Sequence, residues 1–252
     1  MKYKALIVDV DGTLVVNREN GMPSEKVTAA MNKASKILHV GLATSRCIPN
    51  VSRIIDYLHL SGPSILLGGA YIFDAEKKIT ISEYILQESE LNALRKVLKN
   101  IEVPFLYCDN KMGHSLFRIN KKFNQKIFMV FAQGISFQLI HRLTPQLSQI
   151  PGIAVHTAPS WTKGKTDILI THAQATKQHG ILEIAKILNI GTHEIIGVGD
   201  GNNDFPLLMA CGLKIAMGNA VKDLKAIADY VAPKVEEDGL AHIINKFIFP
   251  NH

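Results

Sequence analysis

Two carboxylates end an apolar run close to the start of the chain, in Ala5-Leu6-Ile7-Val8-Asp9-Val10-Asp11-Gly12-Thr13. A buried strand takes Val and Ile readily, whereas acids at its C-terminal end are costly unless they bind something. Asp9 and Asp11 would share a face on an extended backbone, and Gly12 frees the chain to turn just beyond them. Carboxylates crowded at one strand end repel, so a cation or a shared proton is the expected remedy. The chemistry this points to is metal-assisted.

A second apolar run also ends in acid, Ile195-Ile196-Gly197-Val198-Gly199-Asp200-Gly201-Asn202-Asn203-Asp204. Its glycines let backbone approach a ligand, and three hard oxygen donors drawn from two loops (Asp9, Asp200, Asp204) suit Mg²⁺. A dinucleotide fingerprint is the rival reading of Gly197-Val198-Gly199. It fails because the third glycine of that motif would have to stand where Asn202 does. A third piece, Val40-Gly41-Leu42-Ala43-Thr44-Ser45-Arg46, ends a strand in two hydroxyls and a guanidinium, which makes a ready phosphate seat ahead of a helix. A plain helix cap is the ordinary reading of Thr44-Ser45 alone. The fourth piece is a lysine to balance phosphate charge. Lys163, Lys165 and Lys177 are candidates, and Lys177 is favoured because it opens a helix leading back to the strand before Asp200.

Short strands and longer helices alternate around these residues. A strand at the start is followed by a helix from about Ser24 to Leu38 with Ser24 as N-cap, a strand over 39–43, a helix to about Leu60 and a strand over 64–67. The order predicts an α/β fold, a doubly wound parallel sheet with ligands at the carboxyl ends of its strands. Near Ser82 the pattern changes to helices with paired strands, at 105–108, 115–119 and 126–131, which predicts an inserted antiparallel α+β unit. Strand–helix alternation resumes with a helix over 177–188 and a strand over 194–198. The expected division is a discontinuous core, residues 1–81 and 172–252, interrupted by an insert at 82–171.

Composition bounds the rest. The 252 residues are 47% apolar and 20% charged, a globular balance, and the formal charge of +6 comes from scattered basic residues rather than a nucleic-acid patch. Cys47, Cys108 and Cys211 lie far apart, so neither a disulfide framework nor a zinc site is indicated. No run approaches the roughly 20 apolar residues of a membrane span, and the first strand begins almost at once, with no signal segment before it. The expectation is a cytoplasmic protein, monomer or homodimer, with no nucleic-acid or membrane partner.

Assembled in order, these pieces resemble the haloacid dehalogenase-like phosphatase superfamily. The stretch Asp9-Val10-Asp11-Gly12-Thr13 is similar to its first motif, Thr44 to its second, Lys177 to its third, and Asp200, Asn203 and Asp204 to its fourth. The insert looks like the C2B type of cap, and Ala216-Met217-Gly218-Asn219-Ala220 with Glu237-Asp238-Gly239-Leu240-Ala241 is similar to the Cof-type branch, subclass IIB. The resemblance implies a Rossmann-like core with that cap, and an Mg²⁺-dependent phosphatase for a small phosphorylated metabolite, plausibly a sugar phosphate. It implies Asp9 as nucleophile, forming an aspartyl-phosphate, and Asp11 as acid and base. Mg²⁺ would lie on Asp9, Asp200 and the main-chain carbonyl of Asp11, with Asp204 within reach. Thr44, Ser45, Lys177 and Asn203 would serve the phosphate, Asn203 and Asp204 chiefly by orienting the site.

Two departures stand out. Relatives usually carry Ala-Thr-Gly-Arg where this chain has Ala43-Thr44-Ser45-Arg46, and Asn-Gly-Ala where it has Gly68-Gly69-Ala70. In the insert, Trp161, Lys163 and Lys165 around Gly164 are candidates to reach the leaving group, against a plain surface turn, and His114, Arg118 and Lys122 are further candidates without a discriminating pattern. A phosphomutase of the same superfamily is the alternative function, needing a cap that binds two phosphates. A receiver-like phosphoacceptor is the non-hydrolysing alternative, but such modules are shorter and lack a large insert.

Overall fold

The computed structural model describes residues 2–16, 21–109, 114–117, 123–160 and 162–250. Its first sheet is parallel. Strand β1 (Ala5–Val8) lies inside it, between β2 (His39–Leu42) and the central strand formed by Ile195–Gly199. β1 is buried on both faces, which is why it reads as a continuous apolar run. Leu6 and Val8 join a cluster with Val27 and Met31 of α1 (Glu25–Ala34), while Ala5 and Ile7 join one with Ile181, Ile184 and Leu207 on the opposite side. Helices thus cover both faces, as the alternating pattern predicts. Ser24 caps α1 by accepting from the Val27 amide at 3.1 Å. α1 ends at Ala34 and α2 (Ile48–Tyr57) at Tyr57, both short of the expected limits, α2 because the chain turns at His59 with φ 49.

His39 opens β2 with its ring Nε2 2.9 Å from the Pro63 carbonyl oxygen. Burial, more than any other influence, lowers its pKa from the ordinary value near 6.5. The unfolded chain therefore binds more protons than the folded one below about pH 6.5, and the stability held above that pH is lost as pH falls toward the lower folded value. His39→Gln keeps an N–H for Pro63 without titrating. The drop in melting temperature from pH 7 to pH 5 is expected to be smaller by a few degrees in His39→Gln than in the wild type. An equal drop would show that His39 carries none of it.

The third strand departs from expectation. β3 (Pro63–Leu66) touches the parallel sheet through one bridge, Ala43 to Ile65, and pairs antiparallel with β4 (Tyr71–Asp74), which pairs in turn with β5 (Ile79–Glu83). Paired strands thus begin at Tyr71, before the change expected near Ser82. The cause is Gly68-Gly69, which the sequence marks as a break but which folds as a reversal, with φ 68 and φ 118. A side chain at Gly69 would also lie 2.4 Å from the Thr176 backbone.

The second sheet is antiparallel, with β6 (Leu106–Asp109), β7 (His114–Leu116), β8 (Ile127–Ile135), β9 (Ile153–Pro159) and β10 (Thr166–His172) in the order β7-β6-β8-β10-β9. Period-2 alternation divides its faces. Val130, Ala132, Ile168 and Ile170 pack with leucines of α3 (Glu88–Leu98) and α4 (Phe137–Leu147) in a cluster of their own. Met129, Phe131, Leu169 and Asp167 alternate with these and look toward the parallel sheet. α5 (Lys177–Leu188), capped by the Thr176 hydroxyl, returns the chain to the core. There β11 (Ile195–Gly199), α6 (Phe205–Ala210), β12 (Leu213–Ala216), α7 (Lys222–Ile227), β13 (Tyr230–Val231) and α8 (Gly239–Phe247) complete the order β13-β12-β11-β1-β2. No helix among the described residues is long and apolar enough to cross a membrane.

Candidate active site

Register brings three loops abreast. Val8 of β1 pairs with Leu42 on one side and Val198 on the other, so Asp9, Thr44 and Asp200 leave adjacent strands at the same end of the sheet. The Asp9 amide still donates to the Val198 oxygen at 2.9 Å. The side chain of Asp9 then meets Lys177, whose Nζ donates to Asp9 Oδ1 at 2.6 Å and to Asp204 Oδ1 at 2.5 Å. All three are buried. The other oxygen of Asp204 accepts from the amides of Asp200 and Gly201, both at 2.9 Å, so this carboxylate ties the second loop to the lysine. Burial raises Asp9 well above the usual carboxylate range, Asp204 adds to this, and Lys177 only partly offsets it. Burial would lower Lys177, but Asp204 and then Asp9 outweigh it and hold the ammonium above its ordinary value.

Asp9 and Asp11 take different side-chain partners. Asp9 has Lys177, whereas Asp11 turns to the cavity wall and receives two bonds from Arg46, Nε to Oδ2 at 3.1 Å and Nη2 to Oδ1 at 2.8 Å. Arg46, read from sequence with the phosphate seat, instead holds this second acid in one rotamer. Thr44 is buried, and its hydroxyl oxygen accepts from the Arg46 amide at 3.1 Å. Ser45 and Asn203 both stand in the wall of the cavity. Lys163 and Lys165 are exposed in the turn between β9 and β10. Trp161, Arg118 and Lys122, and the side chain of His114, lie outside the described residues.

One carboxylate oxygen from each of Asp9, Asp200 and Asp204 lies within 4.8 Å of the others. The donor set is all hard oxygen. Asp9, Asp11, Asp200 and Asp204 bring four negative charges against the two positive charges of Lys177 and Arg46, which leaves two, the charge of one divalent ion. The residues therefore fit Mg²⁺. Asp200 is set in place by Thr13, whose Oγ1 donates to Oδ1 at 3.3 Å, and by Asn219, whose Nδ2 reaches Oδ2 at 3.3 Å and the Gly12 oxygen at 2.8 Å. Gly12 is obligatory here, since a Cβ on it would lie 2.2 Å from Asp200 Oδ2. Asn219 lies in the stretch similar to the Cof-type branch, and nothing in that stretch signals its reach to Asp200.

Above these groups lies a cavity of about 400 Å³ between the two sheets. The core lends it Asp9, Asp11, Asn50 and Arg53, and the antiparallel sheet lends it Phe131, Gln133, Ala158 and Asp167. Asp167 is buried, with Oδ1 accepting from the Gly134 amide at 2.9 Å.

This arrangement, an acid cluster and a buried lysine at the strand ends of a parallel sheet beneath an inserted lid, defines a class of hydrolase. A family model of haloacid dehalogenase-like hydrolases matches residues 6–129 and 114–244, and the chain belongs to that family. It is 27% identical over 243 residues to the phosphoglycolate phosphatase of Staphylothermus marinus, with 95% of each chain covered. A sugar phosphatase of subclass IIB superposes with a TM-score of 0.80 at 25% identity, over 97% of this chain and 98% of that one. A haloacid dehalogenase-like hydrolase from Bacillus subtilis superposes with a TM-score of 0.84 at 20% identity, over 97% and 99%. The fold is thus the Rossmann-like core of this superfamily with its cap, as the sequence motifs imply.

Proposed function

We propose that this chain is a phosphatase that hydrolyses a small phosphorylated metabolite through an aspartyl-phosphate on Asp9, in a site that holds Mg²⁺. The observation that carries the reading is the buried Asp9–Lys177–Asp204 cluster beside Asp200, at the floor of a cavity whose wall presents Asp11. We assign residues 1–81 and 172–252 to the catalytic unit and 82–171 to the cap, which the separate apolar cluster under α3 and α4 supports.

In this reading an oxygen of Asp9 bonds to phosphorus as the ester P–O bond breaks, and Asp11 gives a proton to the departing alkoxide. Water then attacks phosphorus, Asp11 takes its proton, and the bond to Asp9 breaks to release phosphate. Thr44, Ser45, Asn203 and Lys177 bind the equatorial oxygens, where charge spreads in the transition state. Asp204 holds Lys177 and the second loop in place. Mg²⁺ would be held by Asp9, Asp200 and the Asp11 carbonyl, and would supply charge neutralisation between the carboxylates and the phosphoryl oxygens.

The cavity supports a hydroxylated leaving group, because Gln133 and the buried Asp167 offer hydrogen bonds beside the apolar Phe131 and Leu169 of the same sheet face, and Asn50 offers one from the core. Asp167→Asn is expected to raise KM for sugar phosphates about tenfold, the cost of one hydrogen bond to a charged acceptor, and to leave an aryl phosphate within about twofold. Equal effects on both would place Asp167 outside the leaving-group site.

The test of the function is phosphate release from an aryl phosphate, then from a panel of sugar phosphates and 2-phosphoglycolate, with Mg²⁺ and after chelation. Turnover that depends on Mg²⁺ is expected. Equal turnover in chelator would remove the metal from the scheme, accumulation of an isomeric phosphate would indicate the mutase, and stable phosphoprotein without release would indicate the phosphoacceptor.

A further inference from the structure

The inner end of the cavity narrows into a recess of about 10 Å³ between cap and core, walled by Ser45, Gly68, His156, Lys177 and Asn203 among others. His156 belongs to the edge strand β9, which packs against the turn Asn202–Asp204, and it stands opposite Leu169 of β10. Its Nε2 is buried and has no hydrogen-bond partner among the described residues. Buried ring nitrogens are rarely left unpaired in folded proteins, and one on a residue that shares a recess with Ser45, Asn203 and Lys177 marks the place of a missing ligand or water. The recess has room for about one oxygen atom or water molecule.

The neighbours say which oxygen. Lys177 walls the recess and at the same time reaches Asp9 at 2.6 Å, so the recess opens beside the position of the reacting phosphorus. Ser45 and Asn203 wall both this recess and the main cavity. The ring of His156 is neutral, because burial first and the Lys177 charge second push it down to about 4. A neutral imidazole can carry its proton on Nε2 and donate it. The two departures from the family pattern meet here as well, since a Cβ on Gly68 would lie 3.9 Å from the Ser45 hydroxyl oxygen. With no side chain at residue 68, the recess stays open to a residue reaching in from the cap.

We propose that Nε2 of His156 donates a hydrogen bond to an oxygen of the bound phosphoryl group, so that the cap itself supplies a ligand to the phosphate seat. The inference rests on the phosphatase reading. It gives the cap a direct hold on the phosphoryl group as well as on the leaving group, and so ties phosphate binding to the closed arrangement of the two sheets.

The experiment measures inorganic phosphate binding by calorimetry with Mg²⁺ present, in the wild type, His156→Phe and His156→Gln. Phe keeps the bulk and removes the donor, whereas Gln places an amide N–H near the Nε2 position. His156→Phe is expected to weaken phosphate binding at least about tenfold, the loss of one hydrogen bond to a charged group, without lowering the melting temperature in the absence of phosphate. His156→Gln is expected to stay within about threefold of the wild type. If His156→Phe fails to fold, the Nε2 resonance of wild-type His156 still decides the matter, since it is expected to shift when phosphate is added. Unchanged phosphate affinity in His156→Phe, or an unmoved resonance in the wild type at saturating phosphate, overturns the proposal and leaves the recess to water. A wild type that hydrolyses phosphate esters while His156→Phe binds phosphate normally would sink this inference alone. A wild type that neither binds phosphate nor hydrolyses esters would sink the phosphatase reading with it.

Discussion

Asp9→Asn is expected to lower kcat by at least about 10⁴-fold, the scale of losing a covalent nucleophile, and yet to raise the melting temperature measured without metal. Both effects come from one carboxylate. Asp9 is buried beside Asp204 and Asp200, and burial followed by the Asp204 charge raises it well above the usual range, with Lys177 offsetting only part. A raised folded pKa means that the folded state pays for ionisation as pH climbs past the unfolded value of about 3.9. A neutral amide of the same shape removes that cost, and its oxygen can still accept from Lys177. Catalysis without a reactive carboxylate oxygen stops. Chromatography-pure protein with a higher melting temperature and no phosphate release is the expected pair of results. Wild-type rates in Asp9→Asn would show that the nucleophile is elsewhere.

Lys177→Met is expected to fail in both respects. The ammonium is buried between Asp9 and Asp204, at 2.6 and 2.5 Å, and bridges them. Removing it leaves two carboxylates buried together, and breaking a buried ion pair in this way costs about 3–5 kcal/mol. In a chain of this length each kcal/mol moves the melting temperature by roughly 2–4 °C, so calorimetry should find a fall of about 6–20 °C. Loss of a charge facing the transition state should lower kcat by about 10²–10³-fold in whatever fraction stays folded. The double variant Lys177→Met/Asp204→Asn tests the cause. Neutralising Asp204 should recover part of the lost stability, because the two sites are coupled, and should recover none of the turnover. A simple sum of the two single effects would mean that charge repulsion is not what destabilises Lys177→Met.

Much of this site is legible in the sequence because each of its parts is short and sits at the end of one element. Asp9 and Asp200 stand where apolar runs stop, and Lys177 opens a helix that the strand–helix alternation predicts. What stays hidden depends on pairing across long stretches of chain. Nothing near Arg46 in sequence says that it faces Asp11, and nothing near Asn219 says that it bridges Gly12 and Asp200. The lid hides its face for another reason. Met129, Phe131 and Gln133 alternate with Val130 and Ala132, but a strand sandwiched between helices and a substrate cavity is apolar on both sides, and alternation becomes readable only once the sheet order is known. The β4–β5 hairpin turns over a polar stretch without the Asn-Gly or Asp-Gly pair that marks a tight turn in sequence. Its approach is marked by Gly68-Gly69, while the turn itself is made by Asp74, whose side chain accepts from the amides of Glu76 and Lys77.

The departure of phosphate through a covalent intermediate on Asp9 is the claim on which the rest depends. The most direct test is the stereochemical course at phosphorus, read from an ester made chiral with oxygen isotopes and hydrolysed by the wild-type protein with Mg²⁺. Two in-line displacements, first by Asp9 and then by water, give net retention of configuration, which is the expected result. Net inversion would mean that water attacks the ester directly, and Asp9 could not be the nucleophile.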